Sequence, residues 1–136
     1  MIKEYHLSSK TVWTEINNDF EEKGGAYILF FKDKGQIRPV SRFLGIDTDG
    51  ILYIGKATSY LDRVINLKKS LDPIKKSTSH ICGRRYKKNE NIVKEFPFQN
   101  LHIRLFVHNK PEEKERELLD EYFTKFGEVP PLNANG

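Results

Sequence analysis

Cysteine, methionine and tryptophan are nearly absent: Cys82, Met1 and Trp13 are the sole examples in 136 residues. One thiol makes no internal disulfide, and no zinc spacing can be built around it, so a reducing compartment is expected. No apolar run reaches the roughly 20 residues that span a bilayer. The opening Met1-Ile2-Lys3-Glu4-Tyr5-His6 has no apolar stretch of signal-peptide length. The expectation is a cytoplasmic protein without membrane association. There is no repeat and no low-complexity tract. Neither sign of charge dominates, since 23 lysines and arginines against 19 acidic residues leave +4. That excess permits binding to a polyanion without requiring it.

What is present suits one soluble globular domain. Hydrophobic residues make up 38% and charged residues 31%, too apolar for disorder and too short a chain for two good cores. Aromatics, mostly Phe and Tyr, can fill that core with large rings. Residues Ser9 to Lys23 read as a helix, with Val12, Trp13, Ile16 and Phe20 at helical spacing and Gly24-Gly25 as the stop. Ala26 to Phe31 is a short apolar run that reads as a buried strand. Gln36 to Leu44 is a second strand, which Pro39 places at an edge or bulge. The turn Asp47-Thr48-Asp49-Gly50 leads into a strand from Ile51 to Gly55. Tyr60 to Leu71 reads as a helix ended by Pro73, and Ser77 or Thr78 caps another that runs to about Lys88. Leu101 to Val107 alternates as a strand. Asn109, Pro111 and Glu112-Glu113 open a final helix that Gly127 closes after Phe126. The prolines of Val129-Pro130-Pro131-Leu132-Asn133 keep the tail extended. The order predicts an α+β fold, a central antiparallel sheet of three or more strands flanked by helices.

Several polar residues fall where this outline brings a sheet edge and helix ends together. Tyr27 lies in the first strand, just after Gly24-Gly25. Tyr53 lies in the strand ending at Gly55, and Arg63 is about two helical turns into the next helix. Glu115 shares a face of the last helix with Leu118, Leu119 and Tyr122. A carboxylate on an apolar face calls for a partner or a metal. Taken singly, each has a plainer reading. The tyrosines would be core aromatics, Arg63 a solvated helix residue, His80 structural or exposed, Asn133 an ordinary tail residue and Cys82 a small core residue.

Together they resemble the GIY-YIG nuclease family. Gly25-Ala26-Tyr27 is similar to the GIY element, and Tyr53-Ile54-Gly55 matches YIG letter for letter. An arginine in the helix after YIG, a glutamate in a late helix and an asparagine after proline complete five elements in the family's order. They run from Gly25 to Asn133. The resemblance implies a metal-dependent endonuclease, with residues 25–136 as catalytic domain and residues 1–24 as a leader helix packed on the core. It implies that Glu115 holds one divalent metal, Mg²⁺ or Mn²⁺. Glu112 is the next choice among the glutamates of 112–117, most of which must form a charged surface. Arg63 would grip phosphate oxygens through its planar fork. Tyr27 would orient or deprotonate the attacking water with help from Tyr53. Lys56 would supply a cation that eases this task. His80 falls where members of the family often bring a histidine to the site, and Asn133 would pin the tail against it.

The basic stretch Arg84, Arg85, Lys87 and Lys88, with Lys68, Lys69, Lys75 and Lys76 nearby in sequence, is either a wet helix face or a phosphate-binding wall. The expected partner is nucleic acid, double-stranded DNA first. The segment between Tyr27 and Tyr53 is longer than in the simplest members of the family, which suggests an inserted hairpin. No separate DNA-binding domain is expected after Asn133, so target choice falls to the domain's own surface, a homo-oligomer or a protein partner on the leader helix. Two other readings stand beside the nuclease. One is a nucleic-acid-binding module of the same fold without catalysis. The other is an interaction protein built around the leader helix.

Overall fold

In a computed structural model of the chain, which describes residues 2–76 and 80–133, five strands form one antiparallel sheet. Its centre is β2 (Gly25–Asp33), where the seven residues from Gly25 to Phe31 are all buried. A run buried on both faces means that both faces of the sheet are covered. β2 pairs with β6 (Ile51–Ala57) on one side and β7 (Leu101–Val107) on the other. β1 (Ile2–His6) pairs with the far side of β7. The short β3 (Gln36–Ile37) closes a hairpin on the end of β2. The fold is α+β, as the sequence predicts.

Alternation along β2 sorts side chains between two layers. Tyr27, Leu29 and Phe31 face a core shared with α1 (Val12–Phe20), α2 (Tyr60–Leu71) and α3 (Ile81–Lys88). Ile28 and Phe30 face the opposite layer, where α5 (Pro111–Phe126) buries Tyr122 and Phe126 against them and Ile54. Leu101, Ile103 and Leu105 of β7 are buried in the first layer, while His102, Arg104 and Phe106 are half-buried on the other face.

Several elements differ from expectation. The segment before Gly25 is more than a helix, because Ile2–His6 is an edge strand and only Val12–Phe20 is helical. Tyr5 is the one buried residue of that strand, which is why its pattern reads as polar. Pro39 splits the expected second strand: it lies between β3 and β4 (Val40–Arg42), and β4 pairs with β5 (Gly45–Asp47) in a separate small hairpin. A proline cannot donate to a ladder, so pairing breaks there. The strand carrying Tyr53 continues two residues past Gly55. The caps Ser77 and Thr78 lie outside the described residues; His80 caps α3 instead. The helix after it, α4 (Glu90–Glu95), was not expected, and α5 starts from Lys110 with no side-chain cap rather than from Asn109. On α1, Val12, Ile16 and Phe20 are buried, but Trp13 is 51% exposed.

The β4–β5 hairpin is fastened by Asp47, a carboxylate that is 1% exposed. It accepts from the Asp49 and Ile51 amides, each at 2.9 Å, and from the Tyr122 hydroxyl at 3.0 Å. Asp47→Ala leaves three donors without their acceptor and is expected to destabilise the fold by about 3 kcal/mol. Urea denaturation checks this, and an unchanged midpoint would contradict it.

Candidate active site

The strand register sets the first two site residues. Tyr27 is opposite Gly55 in the β2–β6 pair, and Tyr53 is opposite Leu29. The two tyrosines are therefore diagonal neighbours on one face, with ring centroids 6.0 Å apart. A Cβ at position 55 would come within 2.5 Å of the Tyr27 hydroxyl and ring carbon Cζ. Glycine is required there because the Tyr27 ring lies across the strand. At Gly25 a Cβ would meet the Phe106 carbonyl at 2.0 Å and the Tyr60 hydroxyl at 2.5 Å. These two close approaches give the motif glycines a packing reason.

The tyrosines differ in access. Tyr27 is fully buried, and Tyr53 is half-buried with its ring against His80, centroids 5.6 Å apart. The Cys82 amide donates to His80 Nδ1 at 3.2 Å. That nitrogen must carry a lone pair, so the proton of the neutral ring sits on Nε2. Nε2 then donates to the Tyr27 hydroxyl oxygen at 3.2 Å. Burial, and after it the Arg63 charge, lowers the His80 pKa to about 4, so the ring is neutral near pH 7. Burial pushes the Tyr27 pKa well above that of a free phenol; neighbouring Tyr53 adds to this, and Arg63 opposes it. Tyr53 is raised for the same first reason, with the charge of Glu115 among the smaller causes.

Arg63 comes to the tyrosines from α2. Its Nε is shut off from solvent and has no hydrogen-bond partner. Its charge acts on Tyr27, Tyr53, His80, Cys82 and Glu115. A half-buried cation among five titratable groups, with donors still to spare, is suited to receiving an anion.

Glu115 arrives from the other layer. β6 is an edge, pairing only with β2, so groups from both faces of the sheet can meet around it. Glu115 lines a cleft of about 540 Å³ with Lys56, Glu112, Arg116 and Phe123. An adjoining cleft of about 760 Å³ is lined by Lys56, Arg63, Asn66 and Glu112. Between the two stands the Lys56–Glu112 ion pair, at 2.9 Å. Glu115 itself is half-buried and, among the described residues, makes no hydrogen bond and no ion pair. Burial raises its pKa above the ordinary carboxylate value; Lys56 opposes the shift and Glu112 adds to it.

The tail covers the open edge of β6. Asn133 accepts from the Ile54 amide and donates to the Ile54 carbonyl, both at 3.0 Å, and the Leu132 amide donates to the Leu52 carbonyl. One amide side chain thus replaces a missing strand beside the site. Asn66, one helical turn beyond Arg63 and on its face, lines the same cleft and was not singled out from the sequence; the i, i+3 spacing is the signal that would have found it.

Of the four basic residues on α3, Arg84, Arg85 and Lys88 are exposed. Lys87 is half-buried and donates to the Asp72 and Lys75 carbonyls, so it braces the α2–α3 connection. Arg85 reaches the Pro131 carbonyl at 3.3 Å. Residues 60–89 contain nine lysines and arginines and two aspartates, an excess of seven in a chain whose whole excess is four. Among the described residues, none of those nine forms an ion pair, whereas Lys3, Lys32, Arg38, Arg42, Lys56, Arg104, Lys110 and Lys114 all do. Positive charge is gathered on α2, α3 and their connection. No described helix is long and apolar enough to cross a membrane. No protein-family model, curated protein or solved structure matches the chain.

Proposed function

We propose that the chain is a metal-dependent endonuclease that hydrolyses nucleic-acid phosphodiester bonds, with DNA as its substrate. The observation that carries this reading is the convergence of Tyr27, Tyr53, Arg63, His80 and Glu115, from five separate segments, around one edge strand. Tyr27, Tyr53, Arg63 and Glu115 match elements of the resemblance drawn from the sequence, and His80 is the further candidate it suggested. The segregated basic charge supports a polyanionic partner, bound through phosphates in a salt-dependent manner.

The residues fit a hard divalent cation. Glu115 is an under-compensated carboxylate at the wall of an open cleft that Glu112 also lines. Among the described residues, no three His, Cys, Asp or Glu side chains gather into a richer ligand set. That favours an ion that keeps most of its waters, Mg²⁺ or Mn²⁺, over zinc. When bound, such an ion stabilises negative charge on the phosphate and on the leaving oxygen.

The protein's own groups then divide the work. Arg63 holds non-bridging phosphate oxygens from the opposite side of β6. Tyr53, the accessible tyrosine, positions the attacking water. Tyr27 is too buried to meet that water, so it acts through Tyr53, with its hydroxyl fixed by Nε2 of His80. Lys56 exchanges its partner Glu112 for a substrate phosphate. Asn133 keeps the edge of β6 in place.

A catalytically silent binding module of the same fold is the second reading. It is favoured by one observation: burial raises both phenols, so neither is a ready base near neutral pH. Labelled DNA and RNA duplexes incubated with Mg²⁺, with Mn²⁺ and with chelator separate the two readings. The endonuclease is expected to cut DNA internally only where metal is present. Tight binding with no cutting under any of these conditions would establish the silent module.

A further inference from the structure

Trp13 is the chain's single tryptophan, and the fold does not use it to fill the core. Its indole forms one wall of a groove of about 490 Å³ between α1 and α2. Val12 and Ile65 give the groove an apolar floor, and Lys68, Lys69 and Lys75 stand at its rim. Two contacts brace the groove: Lys68 donates to the Ser9 carbonyl at 2.6 Å, tying α2 to the turn before α1, and Lys87 pins the chain at Asp72 and Lys75. Asp72, the acid at the rim, already accepts from the Ile74 amide. Lys69 and Lys75 are exposed and, among the described residues, make no ion pair. No aromatic ring and no cation packs on the indole among the described residues.

An apolar slot with a cationic rim suits a ligand that is flat and apolar in one part and anionic in another. A nucleotide has this form, a base with a π-face on a phosphate chain. The rim lysines Lys68, Lys69 and Lys75 belong to the basic residues of α2 and the connection after it. Lys69 lies six residues from Arg63, about 9 Å along α2 and about 120° round its exposed face, so a strand held at both sites wraps the helix. We propose that the Trp13 groove stacks an unpaired base of the nucleic acid whose backbone is held at Arg63. The substrate then includes a single-stranded segment beside the cut. This rests on the nuclease reading and adds a second subsite to it.

The test uses the whole chain in chelator, so that nothing is cut, with an oligothymidylate of about 15 nucleotides and a duplex of equal length. As the sole tryptophan, Trp13 reports on its own site by fluorescence, while anisotropy of labelled strands reports binding anywhere. The single strand is expected to quench Trp13 on binding, and the duplex is not. Trp13→Ala is expected to weaken single-strand binding about tenfold, with less than about twofold change for the duplex. Lys69→Glu is expected to act in the same direction. Should Trp13→Ala fail to fold, the wild-type quenching decides. Single-strand binding without quenching, or equal affinity in a folded Trp13→Ala protein, would overturn the stacking site and leave the nuclease standing. Quenching by an acidic Leu/Glu peptide but not by the oligonucleotide would make the groove a protein-docking site and overturn the proposal. No binding of either nucleic acid would overturn both readings together.

Discussion

Glu115→Gln is expected to lower metal-dependent cutting about 10³-fold while leaving the protein as stable as before, or more so. The substitution keeps the shape of the side chain and removes the charge that would hold the ion. Its stability effect follows from the burial that raises the carboxyl pKa, with Glu112 adding to the shift and Lys56 and Arg63 opposing it. A carboxyl whose pKa rises on folding holds its proton more tightly in the folded chain. Its favourable contribution is complete below the unfolded value and is lost as pH rises through the folded value. At neutral pH the ionised group is therefore a cost, which glutamine removes. Melting temperatures of wild type and Glu115→Gln should show the variant equal or higher near neutral pH, with any gain falling away as pH drops through the raised folded pKa and gone below the ordinary value of 4.5. A marked fall in stability would make Glu115 a structural residue.

Arg63→Gln is expected to reduce cutting by about 10² to 10³-fold, the usual loss when one preorganised donor to a developing anion is removed. Arg63→Lys is not expected to restore it, because an ammonium lacks the planar fork that meets two phosphate oxygens at once. The two defects differ in kind. Arg63 variants should bind nucleic acid less tightly with or without metal, whereas Glu115→Gln should bind normally in chelator. Steady-state cleavage rates and anisotropy in chelator distinguish them. An Arg63→Gln protein that cuts at the wild-type rate would remove the arginine from the site.

The elements that the sequence makes plain are those whose burial pattern is local. β2 is an unbroken apolar run, β7 alternates, α2 buries residues at helical spacing along its length, and α5 sets partly buried Leu118 and Leu119 in line with buried Tyr122 and Phe126. β1 is hidden because an edge strand with one buried residue, Tyr5, has no pattern to read. Trp13 looks like core by composition, but its angle on α1 turns it outward, which only the packing of α1 against α2 decides. The residues of the proposed site are picked out in the sequence by a resemblance in letters and spacing. The site's organisation is not. Which tyrosine is accessible, which nitrogen of His80 carries the proton, and which glutamate is left unpaired all depend on contacts between residues far apart in the chain. Tyr27 meets His80 across 53 positions, and Lys56 takes Glu112 across 56 and so leaves Glu115 open. Asn133 is the clearest case, since an ordinary tail amide becomes the cap of a strand edge by bonding to Ile54.

The central claim is that groups from both faces of the sheet act together across β6 on one phosphodiester. Nicking of supercoiled plasmid with Mg²⁺ or Mn²⁺, run side by side for the wild type, Glu115→Gln and Arg63→Gln, tests it most directly. The expected result is nicking by the wild type that chelator abolishes and that both folded variants lose. Nicking that persists in both variants, or a wild type that binds plasmid and leaves it intact with either metal, would contradict the account.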